Sequence, residues 1–256
     1  MSTPVPARSM KGQKQLADDL MRAIFGDSYQ PARGMAVAEV EGGHEDSDWY
    51  ALTLVATTTL PDGRTVAIVN GAPTDEQGSD MTGHVSPGLL NVYLLRREGG
   101  RWAVVTRSEG LDERGTFGSI GAVSWVQIGP DRPGFIVSGG GTWQGSTVSG
   151  SSVYDLADGG RSLGGFGDHS DNAGACVPGM DDCWDVSGAA RFVDGGHPGP
   201  YWDIRVDFTG KHYTLIQAGD GRQPEHVKSV VKQSALYRFD GNAYKIVAGV
   251  EPLPDI

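Results

Sequence analysis

Apolar positions along the chain follow two different periods. From Gln13 to Phe25, Leu16, Leu20 and Ile24 recur every four residues. That spacing puts them on one stripe of an amphipathic helix. Gly26 follows as a residue suited to end it. The helix is expected over 13–25, behind a polar, frayed N-terminus at 1–12. Beyond it the period shortens to about two, or to short apolar runs between turn residues. These runs cover 50–60, 64–70, 89–97, 101–107, 121–128, 134–140, 146–156, 189–193, 201–208, 212–218, 234–239 and 243–247. They are rich in Val, Ile, Thr and aromatics, as strands are.

The connections support hairpins. Pro61-Asp62-Gly63, Glu98-Gly99-Gly100, Asp158-Gly159-Gly160 and Asp240-Gly241-Asn242 all offer residues that tolerate positive φ. Three segments share a plan of Tyr, strand, tight turn and strand, starting at Val92, Val153 and Leu236. Their tyrosines are Tyr93, Tyr154 and Tyr237. The pattern predicts one all-β, antiparallel domain of about twelve short strands over 13–256, after the N-terminal α-helix. Its form is propeller-like, with four-stranded blades, or a sandwich.

Composition agrees. The 256 residues include 39 glycines and 14 prolines, about a fifth of the chain, against an average of about an eighth. Such a load argues against a helical bundle, since each interior glycine costs a helix about 1 kcal/mol. Six Trp, eight Tyr and seven Phe argue against wholesale disorder.

The net charge of −11 and the absence of a Lys/Arg-rich run argue against a nucleic-acid partner. An acidic surface suits a basic protein partner or simply solubility. No run reaches the ~18 apolar residues that span a bilayer, and residues 1–15 hold no apolar signal core. Cys176 and Cys183 lie in a loop with Gly174, Pro178 and Gly179. They are expected as a disulfide in a periplasmic or secreted protein, or as two inert thiols in a cytoplasmic one. Their spacing does not suit zinc.

Candidate chemistry is sparse. No G-x-S-x-G, H-E-x-x-H or usable S-x-x-K motif is present, so catalytic residues are not assigned. An acidic loop holds Asp168, His169, Asp171 and Asn172, with Asp181 and Asp182 beside Cys183. Its four carboxylates could contribute oxygens to Ca²⁺, although the D-x-D-x-D-G pattern is missing. His44, Glu45, Asp46 and Asp48 form a second acidic loop. The segment SGGGTWQGS is the most unusual one. Gly140, Gly141 and Gln144 surround Trp143, an aromatic that nothing local can bury, and this is a candidate interface anchor. The alternative is that Trp143 folds back on the core while the glycines form a bulge. A similar loop at 110–123 places Arg114, Thr116 and Phe117 as neighbours of that site.

The pieces PGFIVSGG, GPYWDIRVDFTG and ALYRFDGNAYKIV resemble blade fragments of bacterial periplasmic propeller-like proteins, some of them inhibitors of lysozyme-type enzymes and immunity proteins. The resemblance implies a non-catalytic, extracytoplasmic module that occludes the active site of a secreted hydrolase or toxin. That family's Ca²⁺ signature of alternating aspartates is missing. Two other readings stand beside it. One is a β-scaffold hydrolase whose site lies at Asp168–Asp182. The other is a carbohydrate or small-ligand binder using Trp143 and Trp202.

Overall fold

The computed structural model describes residues 10–40, 49–218 and 223–254. The acidic segment His44–Asp48 lies outside them. The chain divides into two compact units, Met1–Ile120 and Gly121–Ile256.

The first unit holds the helix, α1 (Met10–Phe25), and six strands: β1 (Tyr29–Gln30), β2 (Met35–Glu39), β3 (Trp49–Thr59), β4 (Thr65–Pro73), β5 (Gly88–Glu98) and β6 (Arg101–Arg114). They form one antiparallel meander in sequence order. The stripe on α1 does what its spacing predicts. Leu20 and Ile24, with Met21, are buried against Tyr50, Leu52, Val69, Leu89 and Tyr93 of the sheet. Gly26 takes φ +56° and ends the helix. The Arg107 guanidinium donates to the carbonyl of Ile24, placing a cation at the negative end of the helix dipole. Buried Asn70 pins the segment after β6. Its Nδ2 donates to Gly118 O at 2.8 Å, and its Oδ1 accepts from Ile120 N–H at 2.8 Å.

The second unit holds eight strands: β7 (Ala122–Gly129), β8 (Arg132–Trp143), β9 (Ser146–Asp155), β10 (Arg161–Asp171), β11 (Cys183–Val193), β12 (Asp203–Leu215), β13 (Glu225–Phe239) and β14 (Tyr244–Gly249). They too follow one another as an antiparallel meander. One face carries Val186, Ile204, Val206, Phe208, Val231 and Ala235 into a core. The sheet curls over that core. The rings of Phe166 on β10 and Tyr237 on β13 lie 6.0 Å apart. A Cβ placed on Gly164 of β10 would come within 3.0 Å of the Cβ of Ala243, next to β14. Residues 250–254 cross this opening. Glu251 accepts from Tyr237 OH and from Gly167 N–H, and Pro254 O accepts from Ser170 Oγ at 2.9 Å.

The mainly antiparallel β class and the N-terminal helix stand as the sequence predicts. Three features need correction. Among the described residues the strands number fourteen, rather than about twelve. They form two meanders of six and eight strands, and no propeller or closed barrel is found among the described residues. The repeated Tyr-strand-turn-strand plan therefore marks hairpins within two long meanders, with Tyr93, Tyr154 and Tyr237 all buried. Finally, the acidic segment at 168–171 is the end of strand β10, not a loop. Its glycines and polar residues hide the strand signal: Asp168 bonds Ser149 and Ser151, Gly167 faces Leu253, and buried Ser170 bonds Pro254 O.

Asp203 shows how the second unit holds a buried charge. Its carboxylate is 1% exposed. It accepts from Arg238 Nε at 3.0 Å and from its Nη2 at 2.7 Å, and it faces His197 Nε2 at 2.8 Å. Arg238 holds the Asp203 carboxyl below its ordinary value, with burial opposing and His197 assisting. A lowered native pKa contributes stability that is fully present above the unfolded value, about 4, and lost as the pH falls through the native value. Asp203→Asn is therefore expected to be less stable at neutral pH, yet to lose less between about pH 5 and about pH 3. Urea midpoints of both proteins across that range check this, and parallel falls would contradict it.

Candidate binding cleft

The glycine-rich segment around Trp143 is one arm of a regular hairpin. β8 and β9 pair without a break from Gly139↔Gly150 to Trp143↔Ser146. A bulge is thus not what the glycines provide. Close approach explains one of them: a Cβ on Gly140 would sit 2.1 Å from Val148 O. The turn itself is Gln144–Gly145, with φ +50° and +86°. Positive φ at both central residues is what a two-residue type I′ hairpin demands.

The tip of this hairpin rests on the disulfide loop. Ala175 N–H donates to Gly145 O at 3.1 Å. Cys176 and Cys183 are joined, with Cα atoms 5.7 Å apart, and pack with Tyr213, Met180 and Leu215. Asn172, 1% exposed, organises the loop from inside. Its carbonyl O accepts from Ala175 and Cys176 N–H at 3.0 and 2.9 Å. Its side chain accepts from Trp184 N–H at 2.8 Å and donates to Asp182 O at 3.2 Å. Trp184 is then held at its far end, where Nε1 donates to Ser170 Oγ at 2.9 Å.

Between hairpin and loop lies a cleft of about 640 Å³, lined by Trp143, Gln144, Ser146, Val148, Ala175 and Trp184. Its size falls within the range of small-ligand sites, about 300–1,000 Å³. Trp143 is 37% exposed, so it does not fold back wholly onto the core. The lining includes no ionisable side chain. It offers aromatic faces, one amide and one hydroxyl.

The two segments singled out in the sequence, the Gly-Trp stretch and the cysteine loop, are thus brought together. Trp184 was not foreseen. Its only signal in the sequence is adjacency to Cys183. Trp202 is not among the lining residues; its N–H donates to Ile128 O at 2.8 Å. Arg114 and Phe117 belong to the first unit. Arg114 ends β6, and Phe117 is 63% exposed at φ +52°, stacked on His84 at 4.8 Å.

Of the four residues weighed for Ca²⁺, Asp168, Asp171 and Asp182 turn their carboxylates to separate partners. Asp168 accepts from Ser149 Oγ and from Ser151 Oγ. Asp171 pairs with His169 at 2.9 Å and accepts from Ala173 N–H at 2.8 Å. Asp182 faces His212 Nδ1 at 3.0 Å, while the carbonyl of Asp181 accepts from Lys228. No group of three or more His, Cys, Asp or Glu is placed to hold a metal ion among the described residues. No helix among them is long and apolar enough to cross a membrane.

No protein-family model matches the chain, and neither the curated proteins nor the solved structures include a match.

Proposed function

We propose that this chain is an extracytoplasmic binding protein that takes a segment of a protein partner into the cleft between Trp143 and Trp184. The observation that carries the reading is the cleft itself, an uncharged aromatic groove whose loop wall is closed by a disulfide. Ordering a loop in advance reduces the entropy cost of binding, and a part-exposed Trp is a frequent hot-spot anchor. The disulfide suits an oxidising compartment. The net charge of −11 favours encounter with a basic partner. Occlusion of a secreted hydrolase or toxin is the sharpest form of this reading, with the hairpin tip entering the partner's cleft.

Affinity capture from a lysate of the source cell at low salt tests it. Wild-type bait is expected to retain a basic protein that Trp143→Ala bait loses, at a cost of about 2–4 kcal/mol in binding. Identical recoveries from both baits would refute the role of the cleft.

The uncharged lining also favours a second reading, a neutral carbohydrate stacked on Trp143. A glycan array separates the two: sugar binding lost in Trp143→Ala supports the second reading, and a blank array leaves the protein partner.

A further inference from the structure

A second constellation lies on strands β10 and β11 of the same unit. Their ladder is short and pairs only His169↔Ser187, Ser170↔Val186 and Asp171↔Asp185. Alternation along a strand puts His169 and Asp171 on one face, with Ser187 directly opposite His169. His169 Nε2 lies 2.9 Å from Asp171 Oδ2, and its Nδ1 lies 3.0 Å from Ser187 Oγ. The three side chains form one continuous hydrogen-bonded row. Ser187 is exposed and stands at the end of the ladder.

The proton positions follow from the chemistry of the row. Burial raises the Asp171 pKa, but the Ala173 N–H and His169 outweigh it and hold the carboxyl below its ordinary value. An ionised carboxylate only accepts hydrogen bonds. In the neutral imidazole, Nε2 of His169 then carries the proton towards Asp171, and Nδ1 presents its lone pair to Ser187. The Ser187 hydroxyl then donates to Nδ1. A nucleophile, a base and a group orienting the base is the logic of triad hydrolases, recognised by geometry rather than by sequence order. Another His–Asp pair lacks it: His197 bonds Asp203 through Nε2 but turns Nδ1 to the carbonyl of Pro198, at 3.3 Å.

We propose that Ser187, with His169 as its base and Asp171 as the positioning residue, is a nucleophilic site that hydrolyses uncharged carboxylic esters. Ser187 Oγ attacks the ester carbonyl carbon while its proton passes to His169 Nδ1. The carbon–alkoxide bond then breaks, and the leaving oxygen takes that proton. Water attacks the acyl-serine, again losing its proton to Nδ1, and Ser187 is regenerated as the carboxylic acid departs. Asp168 lies beside His169 on β10 and Asp185 opposite Asp171, so anionic esters are disfavoured. His169 also borders a groove of about 320 Å³ lined by Ser170, Glu251, Leu253 and Pro254, and the Glu251 carboxylate there disfavours anionic esters further. This site does not depend on what the tryptophan cleft binds.

A fluorophosphonate probe and p-nitrophenyl acetate, applied to the full chain with its disulfide intact, test the proposal. Peptide mapping is expected to place the phosphonyl adduct on Ser187. Ser187→Ala should abolish both the adduct and turnover. Asp171→Asn reverses the histidine tautomer and should slow labelling by about 10²–10⁴-fold. Asp171→Glu, which keeps an acceptor-only carboxylate, should restore part of the rate; a merely structural role would not produce that rescue. Unchanged circular dichroism confirms that each variant folds. Absence of an adduct on Ser187, or equal labelling in wild type and His169→Gln, would overturn the proposal.

Discussion

Replacing Asp155 by Ala is expected to destabilise the second unit by about 3 kcal/mol. Asp155 ends β9 and is fully buried. Its Oδ2 accepts from Arg132 Nε at 2.8 Å and from Tyr201 OH at 2.8 Å, with Arg132 Nη2 at 2.7 Å. Its Oδ1 accepts from Ala157 N–H at 2.8 Å and so caps the turn that leads to β10. One carboxylate therefore ties together the start of β8, the end of β9 and the segment before β12. Arg132 also lies over the Tyr201 ring, 4.8 Å from its centroid. Removing one member of a buried pair costs about 3–5 kcal/mol, because the partner's charge is left uncompensated. The lower end applies here, since the Arg132 side chain is 30% exposed and can recover some water. Asp158 is the control. It lies three residues away but pairs with Arg161 at 3.7 Å on the surface, and Asp158→Ala should cost less than about 0.5 kcal/mol. Urea unfolding of the three proteins measures the difference. Equal midpoints for the two variants would show that Asp155 does not join these segments.

The second large effect is expected at Gly145, on binding rather than on the core. This residue holds φ +86°, and a Cβ there would sit 2.5 Å from both Ala175 N and Gly174 C. Backbone atoms on the disulfide loop cannot rotate away as a side-chain tip can. Gly145→Ala must therefore separate the hairpin from the loop and break the Ala175 N–H bond to Gly145 O. The left-handed conformation adds about 1–2 kcal/mol of its own. Partner capture should fall at least as far as in Trp143→Ala, while the unit keeps its far-ultraviolet circular dichroism. Gly179→Ala separates the causes. Gly179 lies in the same loop at φ +93°, but nothing stands within 4 Å of its Cβ position. It shares the conformational cost without the clash, so its capture should match wild type. Equal loss in both variants would trace the effect to loop strain rather than to the hairpin contact.

Much of this architecture is legible in the sequence, for local reasons. The Leu16–Leu20–Ile24 stripe works because a helix brings every fourth residue to one side. The Asp-Gly and Gly-Gly turns work because positive φ is cheap for glycine. The second half of strand β10 escaped because its signal is not hydrophobic. Ser149, Ser151 and Asp168 satisfy one another across strands, and alternation is invisible where both kinds of position are polar or glycine. The same oversight hid the row from Asp171 to Ser187. Read as a strand, His169-x-Asp171 would have placed both side chains on one face.

By itself, then, the sequence determined the β class, the helix and its buried stripe, most of the hairpins, and the residues most unusual for their surroundings. Those features depend on neighbours within a few positions, where φ/ψ preference and periodicity act. Only the tertiary structure decided that the strands form two meanders, that Gly145 rests on the cysteine loop, that Trp184 faces the Trp143 cleft, and that Ser187 meets His169. These depend on strand register and sheet curl. A shift of one residue would send each of these side chains to the opposite face, and register is set by the packing of the whole sheet.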